Sequence, residues 1–544
     1  MVTKIQTPVL IAGGGPVGLS LAFDLAWRGI HCMLLERTDG AIHHPKTGHI
    51  AIRTMEYCRR WGIADRVRNS GFPEDYRLNV VFCTSLSGHL LSMREYPSTA
   101  DEPLPQQSPE KRQRAPQLYF DPILAAAVAE RPEATVRYHC ELSSFSDHGD
   151  RVLAHARDLR NGEDLEIEAS WLVGCDGAGS MVRQSIGVQM EGDTTLSHSV
   201  GIYFRSRDLT RRHKMGEAVR YVFVGPQGVW GNLTVVDGNE FWRLTVLGSQ
   251  DKVDAGTFDA HEWVRTCLGD DAIPYTIESV LPWRRSRLVA QHYRLGRVLL
   301  AGDSVHTMSP TGGFGFNTGI CDALNATWKL EALLNGWGGG NLMASYEIER
   351  RPVGWRNTNA AADNFSKLRA VGGAGLSSIH EDTAAGAEIR RQVGDAITES
   401  TRKESESTGI ILGYRYESSP IIVPDGTPEP FDDPQGYVQT ARPGHRAPHA
   451  WLADGRSTLD LFGRNFVLLR LGGAPPDPEG LVAAAARRKL PIEVVDLPDP
   501  DIAALYERKL VLVRPDGHSA WRSDSIPDEP EALIDRVRGA AVPR

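Results

Sequence analysis

Residues 297–317, RVLLAGDSVHTMSPTGGFGFN, decide the fold of this chain. The first five, Arg297–Ala301, are predicted to form a buried strand, which the pair Gly302-Asp303 ends. Pro310 then sets a turn, and the glycine-rich run at 312–315 begins a long apolar helix. A strand that ends at an acid, followed by a glycine-rich helix start, suits a ligand that carries phosphate and ribose groups.

A second glycine motif lies near the N-terminus, where residues 13–18 read GGGPVG and complete the pattern G-x-G-x-x-G. The motif follows a predicted strand at 8–12 and opens a predicted helix at 17–27, and a second strand at 31–35 leads to an acid. In this context the glycines allow a tight turn, the helix N-terminus faces a pyrophosphate and the acid accepts hydrogen bonds from ribose hydroxyls. The residues expected to bind a dinucleotide here are Gly13, Gly15, Pro16, Gly18, Glu36 and Arg37.

The composition limits the classes of function. A length of 544 residues allows roughly two to four domains. The net charge of −9 argues against nucleic acid as a partner, and no apolar run has the length of a membrane span. The N-terminus lacks the basic and apolar regions of a secretory signal. Seven cysteines without a C-x-x-C pair favour a reducing cytoplasm, and no metal site is expected.

The pattern between residues 199 and 246 differs from that of the N-terminal region. Apolar and aromatic residues alternate with a period of two, which predicts an antiparallel sheet and a candidate wall for an organic substrate. Alternate aromatics on a strand usually pack in a core, so the sequence does not decide which of them line a pocket. The candidates are Tyr221, Phe223, Trp230, Asn232, Trp242 and Arg243.

The composition changes again near residue 400. A polar stretch at 400–408 and a segment rich in Pro and Gly at 414–443 precede a compact βαβ-ββα pattern at 466–539. This order predicts a thioredoxin-like domain. The chain has no cysteine beyond Cys321, so the domain lacks dithiol chemistry and is expected to have a structural or dimerising role.

Three motifs make the chain resemble the class A flavoprotein aromatic hydroxylases, in the branch with phenol hydroxylases, hydroxybiphenyl hydroxylases and polyketide-tailoring oxygenases. They are the glycine motif, the stretch CDGAGS at 175–180 with Arg183, and the segment from Gly302 to Asn317. Further matches at 322–330 and 443–463 extend the resemblance over nearly the whole chain. It implies an α/β protein with a Rossmann-like FAD-binding domain of the p-hydroxybenzoate hydroxylase type, a β-sheet substrate domain and a thioredoxin-like C-terminal domain.

The same resemblance sets the expected domain boundaries. The FAD-binding domain takes residues 1–75, 111–190 and 286–375, and the substrate-binding sheet takes residues 76–110 and 191–285. A helical connector at 376–408 leads to the thioredoxin-like domain at 409–544.

The resemblance also implies roles for the later motifs. Asp303 should contact the ribityl chain of FAD, the alternative being an acid that caps a turn. Backbone N–H groups at the start of the following helix should lie near the pyrimidine edge of the flavin, where negative charge appears on reduction. The residues of this turn and helix start are Pro310, Gly313, Gly315, Phe316 and Asn317.

Three other polar residues match positions at the cofactor. Asp176 and Arg183 belong to a fingerprint that serves FAD and the nicotinamide cofactor, although Asp176 would equally hold a turn with Gly177. Gln117 matches a glutamine that contacts the flavin before a helix.

The chain departs from the family around residue 46. Lys46 stands where relatives have an arginine near the flavin, and lysine loses the planar guanidinium fork. Relatives place Asp or His two residues later to deprotonate the substrate hydroxyl, but this chain has Gly48. The neighbouring His49 is the candidate base, with a surface or packing role as the alternative. His306 matches the family and is expected to be structural.

The resemblance implies a single-component monooxygenase with FAD. NADPH or NADH would reduce the flavin, O2 would form a C4a-hydroperoxyflavin, and one oxygen atom would pass to a phenolic or polycyclic aromatic substrate. Two alternatives stay open, namely Baeyer–Villiger or epoxidation chemistry on a polyketide, and a flavin-binding scaffold without turnover. A disulfide reductase would need a second G-x-G-x-x-G and paired cysteines, which the chain lacks. The expected partners are a small aromatic molecule, O2 and a second copy of the chain.

Overall fold

The computed structural model of the chain describes residues 2–46, 48–248, 251–254, 256–370, 376–400 and 407–540. Residues 371–375 of the predicted FAD-binding domain and residues 401–406 of the predicted connector lie outside the described residues. Within the described residues, no helix is both long and apolar enough to cross a membrane.

The first sheet brings the motif-bearing strands together. It consists of β1 (Thr3–Ala12), β2 (Cys32–Glu36), β7 (Ala134–Tyr138), β8 (Cys140–Asp147), β9 (Val152–Asp158), β10 (Asp164–Gly174), β16 (Arg294–Leu295) and β17 (Val298–Leu300). β1 pairs in parallel with β2 and β10, and β10 pairs in parallel with β17. All three motifs follow the carboxyl ends of these neighbouring strands. The three motifs, which are spread over residues 13–317 of the sequence, therefore lie together at one edge of the sheet. This is the edge at which α/β proteins bind ligands.

Helices cover this sheet. They are α1 (Pro16–Trp27), α2 (Ile52–Arg60), α3 (Ala64–Arg68), α4 (Gln117–Ala129), α5 (Met181–Ser185) and α8 (Phe314–Leu334). α1 packs against α4 and α8. α8 is buried along nearly its whole length, as expected for a central helix. A short helical turn, Gly302–Ser304, follows β17.

The second sheet is mainly antiparallel. It consists of β4 (Val80–Cys83), β5 (Leu90–Arg94), β11 (Met190–Arg205), β12 (Arg220–Gly225), β13 (Gly228–Val235), β14 (Phe241–Leu247), β15 (Thr276–Ala290) and β18 (His306–Thr307). One face packs in a core with α6 (Leu209–Arg212) and α7 (Ala260–Leu268). The other face packs against α9 (Ala344–Ala370) and α10 (Ala384–Ser400). Two short strands, β3 (His49–Ile50) and β6 (Gln113–Arg114), pair between the sheets.

The C-terminal region forms a third sheet in the order β20-β19-β21-β22. Its elements are α11 (Thr408–Leu412), a helical turn at Thr458–Leu461, β19 (Phe466–Leu471), α12 (Glu479–Arg487), β20 (Ile492–Leu497), α13 (Pro500–Tyr506), β21 (Leu510–Val513), β22 (Ser519–Ser523) and α14 (Pro530–Val537). Every strand and helix predicted between 466 and 539 is present. The analysis of the sequence missed α13, a short helix that Asp499 caps by accepting hydrogen bonds from the N–H groups of residues 501 and 502.

The C-terminal region shares a buried ionic network with the first domain. Arg514, which follows β21, donates to both carboxylate oxygens of Glu349 on α9 at 2.6 and 3.0 Å. Lys329 on α8 donates to the same carboxylate at 2.8 Å. All three side chains are fully buried. Because buried charges are stable only when they are paired, the first domain depends on the C-terminal region for the pairing of its own charges.

Candidate cofactor and substrate site

The glycine turn after β1 leaves room for a ligand. Gly13 has φ +107°, and a Cβ atom there would lie 2.4 Å from the carbonyl oxygen of Cys175. Around Gly15, by contrast, a Cβ atom would meet no described atom within 4 Å. Gly15 also starts α1 without a side-chain cap, so the first N–H groups of the helix face open space. Such a cradle fits the pyrophosphate of FAD.

Glu36 is held beside this turn. Its carboxylate accepts a hydrogen bond from the N–H of Gly14 at 2.7 Å and two more from the N–H and hydroxyl of Thr38. These bonds fix the acid at the carboxyl end of β2, as its predicted role on the ribose requires. Arg37 is exposed.

The third motif forms the opposite wall. Asp303 has an exposed side chain, whereas its neighbour Ser304 is buried and donates to the carbonyl of Gly174 at 2.8 Å. α8 begins at Phe314 after Gly313, whose φ of +68° is left-handed, and it has no side-chain cap. The N–H groups of a long helix therefore point into the site, where they stabilise negative charge. Gly315 and Phe316 lie in the first turn of α8, and the carbonyl of Pro310 accepts from the N–H of Gly313 at 3.1 Å.

Asn317 fixes the helix start to the strand before α2. Its side-chain oxygen accepts from the N–H of Ala51 at 3.0 Å and from the hydroxyl of Thr54 at 2.7 Å. Its side-chain nitrogen donates to the carbonyls of His49 and Gly313. Both donors and both acceptor positions of the amide are thus satisfied within the protein, which leaves only the backbone of Asn317 for a cofactor.

The second motif is engaged in protein contacts. Asp176 accepts from the hydroxyl of Ser180 and from the N–H of Val182 at 3.0 Å. Arg183 donates to the carbonyls of Ser304 at 2.9 Å and Ala178 at 3.1 Å. The structure therefore favours the alternative in which Asp176 holds a turn. Arg183 connects the second motif, through Ala178, with the third motif, through Ser304. Direct contact of either with a cofactor stays a prediction.

Gln117 and Lys46 meet at the start of α4. The side-chain oxygen of Gln117 accepts from the backbone N–H of Lys46 at 2.9 Å, and the side-chain nitrogen donates to Asp121 at 3.2 Å. Burial raises the pKa of Asp121 to about 7. The Lys46 side chain is exposed. Gln117 thus orders the backbone at Lys46.

His49 lies between α8 and a group of arginines. A Cβ atom on Gly313 would lie 3.4 Å from its ring. Burial, with the nearby charges of Arg112 and Arg114, lowers the pKa of His49 to about 3. Gly48 is explained by the same group, because a Cβ atom there would lie 2.9 Å from the guanidinium carbon of Arg114. Sequence analysis missed Arg114, whose approach to Gly48 depends on the pairing of β3 with β6.

The sheet divides the candidate substrate residues between its two faces. Arg243 pairs with Thr234, and Asn232 pairs with Thr245, so these side chains share one face. Arg243 donates to the carbonyl of Pro45 at 2.7 Å. This face therefore lies toward Pro45.

The aromatic candidates occupy the opposite face, which corrects their expected place in the pocket. Tyr221, Phe223 and Trp242 are fully buried in the core that contains α7. Trp230 stacks on Phe223 at 4.9 Å between ring centroids. Trp230 would share the face of Asn232 by simple alternation, but a bulge in β12 and β13 at Phe223 turns it over. The structure therefore places these four residues in or against the hydrophobic core.

Two family profiles match the chain. The family described as FAD binding domain matches residues 6–361. The family described as aromatic-ring hydroxylase, C-terminal, matches residues 440–541.

Individual proteins match along nearly the full length. The FAD-dependent monooxygenase apdD of Emericella nidulans is 34% identical over 97% of this chain and 89% of its own. The 4-methyl-5-nitrocatechol 5-monooxygenase of a Burkholderia species is 32% identical over 98% of this chain and 97% of its own. The rebeccamycin biosynthetic enzyme RebC, solved with reduced flavin, is 39% identical with a TM-score of 0.92 over 99% of this chain and all of RebC. RebC has also been solved with bound 7-carboxy-K252c, with a TM-score of 0.90 over 99% of this chain and all of RebC, again at 39% identity.

Proposed function

The chain belongs to the FAD-dependent aromatic-ring hydroxylases, and on that premise we propose that it uses NADPH or NADH, with O2, to hydroxylate a phenolic or polycyclic aromatic substrate. The family profiles and relatives confirm the predicted fold class, the FAD cofactor and the monooxygenase activity. The nicotinamide donor, the substrate, the domain boundaries and a cytoplasmic location are proposals. Support for an aromatic substrate comes from relatives that act on a nitrocatechol or bind 7-carboxy-K252c.

One observation carries the proposal. The uncapped start of α8, which follows Gly313, lies beside His49, and Arg243 on the polar face of the second sheet donates to the carbonyl of Pro45. An aromatic ring of the substrate, bound between the start of α8 and the second sheet, would face the flavin on one side and the protein on the other.

FAD, when bound, supplies the reaction of a reduced flavin with O2. The remaining tasks fall to the chain. The N–H groups at the start of α8 stabilise negative charge at the pyrimidine edge of the flavin. The sheet keeps water from the reacting atoms, and the core around Tyr221 and Trp242 supports it from behind. The scaffold needs no protein nucleophile, because the cofactor carries the chemistry.

His49 is the candidate group for handling a substrate proton. It is the imidazole beside the helix start, and its low pKa keeps it neutral at pH 7. A neutral imidazole accepts a proton or a hydrogen bond, but a pKa of about 3 makes it a weak base. We therefore expect His49 to orient the substrate hydroxyl more than to deprotonate it.

The test is substrate-dependent oxidation of the nicotinamide. The holoenzyme is mixed with NADPH or NADH and a panel of phenols and polycyclic aromatics, and O2 uptake is followed together with product mass. We expect slow oxidation alone, marked acceleration by some member of the panel, and a product that gains one oxygen atom on the ring. Insertion next to a carbonyl, or an epoxide, would assign Baeyer–Villiger or epoxidation chemistry instead. No acceleration by any compound would favour the scaffold without turnover.

A further inference from the structure

A cavity of about 240 Å³ lies between α2 and the C-terminal region. Part of its lining is charged and consists of Arg53, Glu56, Arg59 and Arg60 on α2 with Asp460 in the helical turn at 458–461. None of the described residues that line the cavity belongs to the three motifs of the flavin site. The cavity is therefore separate from the site described above.

The charged part of the lining has one more arginine than it has acids. Two of the three arginines pair with the two acids, at 2.8 Å and 2.7 Å between nitrogen and oxygen. Just outside the lining, Glu110 also pairs with Arg59, and Arg446 also pairs with Glu56. Within the described residues Arg60 makes no ion pair, and burial lowers its pKa. Because a positive charge away from water is unfavourable without a counter-ion, a bound anion would stabilise Arg60.

The guanidinium of Arg60 lies beside a glycine that leaves room for such an anion. Arg60 donates from Nη1 to the carbonyl of Pro515 at 3.2 Å. A Cβ atom on Gly517 would lie 3.6 Å from Nη2 of Arg60 and 3.6 Å from Nη2 of Arg53. Gly517 has φ +84°, in the left-handed region that favours glycine, so no side chain fills this space. An acceptor oxygen placed there would face donors from two cationic groups.

The rest of the lining favours a ligand with an apolar part. Besides Gly517 it consists of Trp27, Pro109, Leu459 and Phe462. Pockets that combine apolar side chains with a few placed polar groups are typical of sites for small organic molecules. The one unpaired positive charge is balanced by a monoanion, which favours a carboxylate over a phosphate dianion.

We propose that this cavity binds a small organic carboxylate. Its oxygens would accept hydrogen bonds from Arg60 and Arg53, and its apolar part would contact Leu459 and Phe462. Guanidinium groups suit this role because their N–H donors match the geometry of a carboxylate. The site is additional to the proposed reaction and does not depend on it.

α2 connects this cavity with the flavin site. At the start of the helix, the N–H of Ala51 and the hydroxyl of Thr54 donate to Asn317, which fixes the start of α8. Toward its end, the same helix carries the arginines of the cavity. A carboxylate bound there would therefore hold the C-terminal region against the helix that positions the start of α8.

Photolabelling of the FAD-loaded protein locates the site. The probe is 4-azidobenzoate, and labelled peptides are identified by mass spectrometry after irradiation. We expect label on peptides that contain Pro109, Leu459 or Phe462, and excess benzoate should prevent it. Label confined to peptides of the second sheet or of the three motifs, or no label that benzoate prevents, would overturn the proposal.

Competition at the labelled peptide measures the specificity of the site. Benzamide and phenyl phosphate should each need at least roughly tenfold higher concentration than benzoate to halve the labelling, because the hydrogen bonds to charged groups require a carboxylate. Equal protection by benzamide would contradict the role of the arginines, and equal protection by phenyl phosphate would contradict the choice of a carboxylate. Inorganic phosphate that protects as well as benzoate would indicate an adventitious ion only, and the proposal would be wrong.

Arg60→Gln tests the unpaired charge. In this variant the benzoate concentration that halves the labelling should rise at least roughly tenfold. The matched control is Arg464→Gln, because Arg464 is exposed, lies 4.5 Å from the Trp27 ring and is not among the residues that line the cavity. Equal benzoate protection in Arg60→Gln and in the unmodified chain would overturn the proposal. The competition series in the unmodified chain decides the question even if Arg60→Gln does not fold.

Thermal unfolding of the holoenzyme gives an independent readout. A ligand that binds only the folded state raises its stability, so benzoate should raise the midpoint temperature of the unmodified chain. The rise should be smaller in Arg60→Gln and unchanged in Arg464→Gln. An equal rise in all three proteins would assign the stabilisation to another site and contradict the proposal.

Discussion

Replacing Arg514 by methionine tests whether the C-terminal region completes the charge pairing of the flavin domain. Methionine keeps much of the volume of the side chain and removes its charge. Glu349 would lose two hydrogen bonds and keep those from Lys329, Asn325 and Ser419. Asp516 would lose its guanidinium partner in a fully buried position. Removing one member of a buried pair costs about 3–5 kcal/mol, so we expect a loss near 4 kcal/mol in the free energy of unfolding.

The same variant changes how stability depends on pH. Burial acts to raise the pKa of Glu349, but Arg514 and Lys329 outweigh it and lower the value to about 2. A lowered carboxyl pKa stabilises the fold fully above the ordinary value near 4.5 and loses that contribution as the pH falls toward 2. The shift corresponds to about 3 kcal/mol. In Arg514→Met the pKa of Glu349 should rise, so acid unfolding should begin at higher pH.

Urea unfolding at pH 7 and at a series of acidic pH values measures both effects. The matched control is Arg508→Met, because Arg508 makes a long surface ion pair with Asp524 at 3.7 Å and such pairs contribute at most about 1 kcal/mol. The reasoning would be refuted if Arg514→Met lost less than about 1 kcal/mol in the free energy of unfolding and kept the acid midpoint of the unmodified chain. The ionic network would then not be needed to hold the C-terminal region and the first domain together.

Three further predictions concern the site. Gly15→Val should purify folded by circular dichroism but largely without flavin, because a side chain there enters the cradle at the start of α1; a yellow protein with full flavin content would contradict this. Asn317→Ala should lower flavin retention and turnover together, since it frees the helix start from the strand at His49, and an unchanged flavin dissociation constant would count against that role. A chain that ends at residue 408 should be recovered unfolded or aggregated, because it loses the pairing of Arg446 with Glu56 and of Arg514 with Glu349; soluble, flavin-loaded protein would support an independent domain.

The sequence was sufficient for those parts of the site that depend on backbone conformation. Gly13 and Gly313 occupy left-handed conformations that favour glycine, so their spacing carries a local signal. The acids at strand ends have the same character, because a strand that ends at Glu36 or at Gly302-Asp303 is visible in the local pattern.

Features that depend on contacts between distant segments were not predictable. Gly48 was noted as a departure, but its reason is Arg114, which reaches it only through the pairing of β3 with β6. The aromatic residues of the second sheet were only candidates for a pocket, because alternation does not say which face is inside. The bulge beside Phe223 places the Trp230 side chain on the opposite face of the sheet. A period-two pattern does not predict such a bulge. Asp176 was left between two roles, and its bonds to Ser180 and Val182 favour the structural one.

The most direct test of the central claim follows the oxygen atoms. The holoenzyme, NADPH or NADH and the aromatic compound that most accelerates oxidation are allowed to react under labelled O2 in ordinary water, and then under ordinary O2 in labelled water. Hydroxylation by this scaffold predicts one labelled oxygen atom in the product of the first reaction and none in that of the second. Label that enters from water, or a product that never gains oxygen while hydrogen peroxide accumulates, would contradict the assignment as an aromatic hydroxylase.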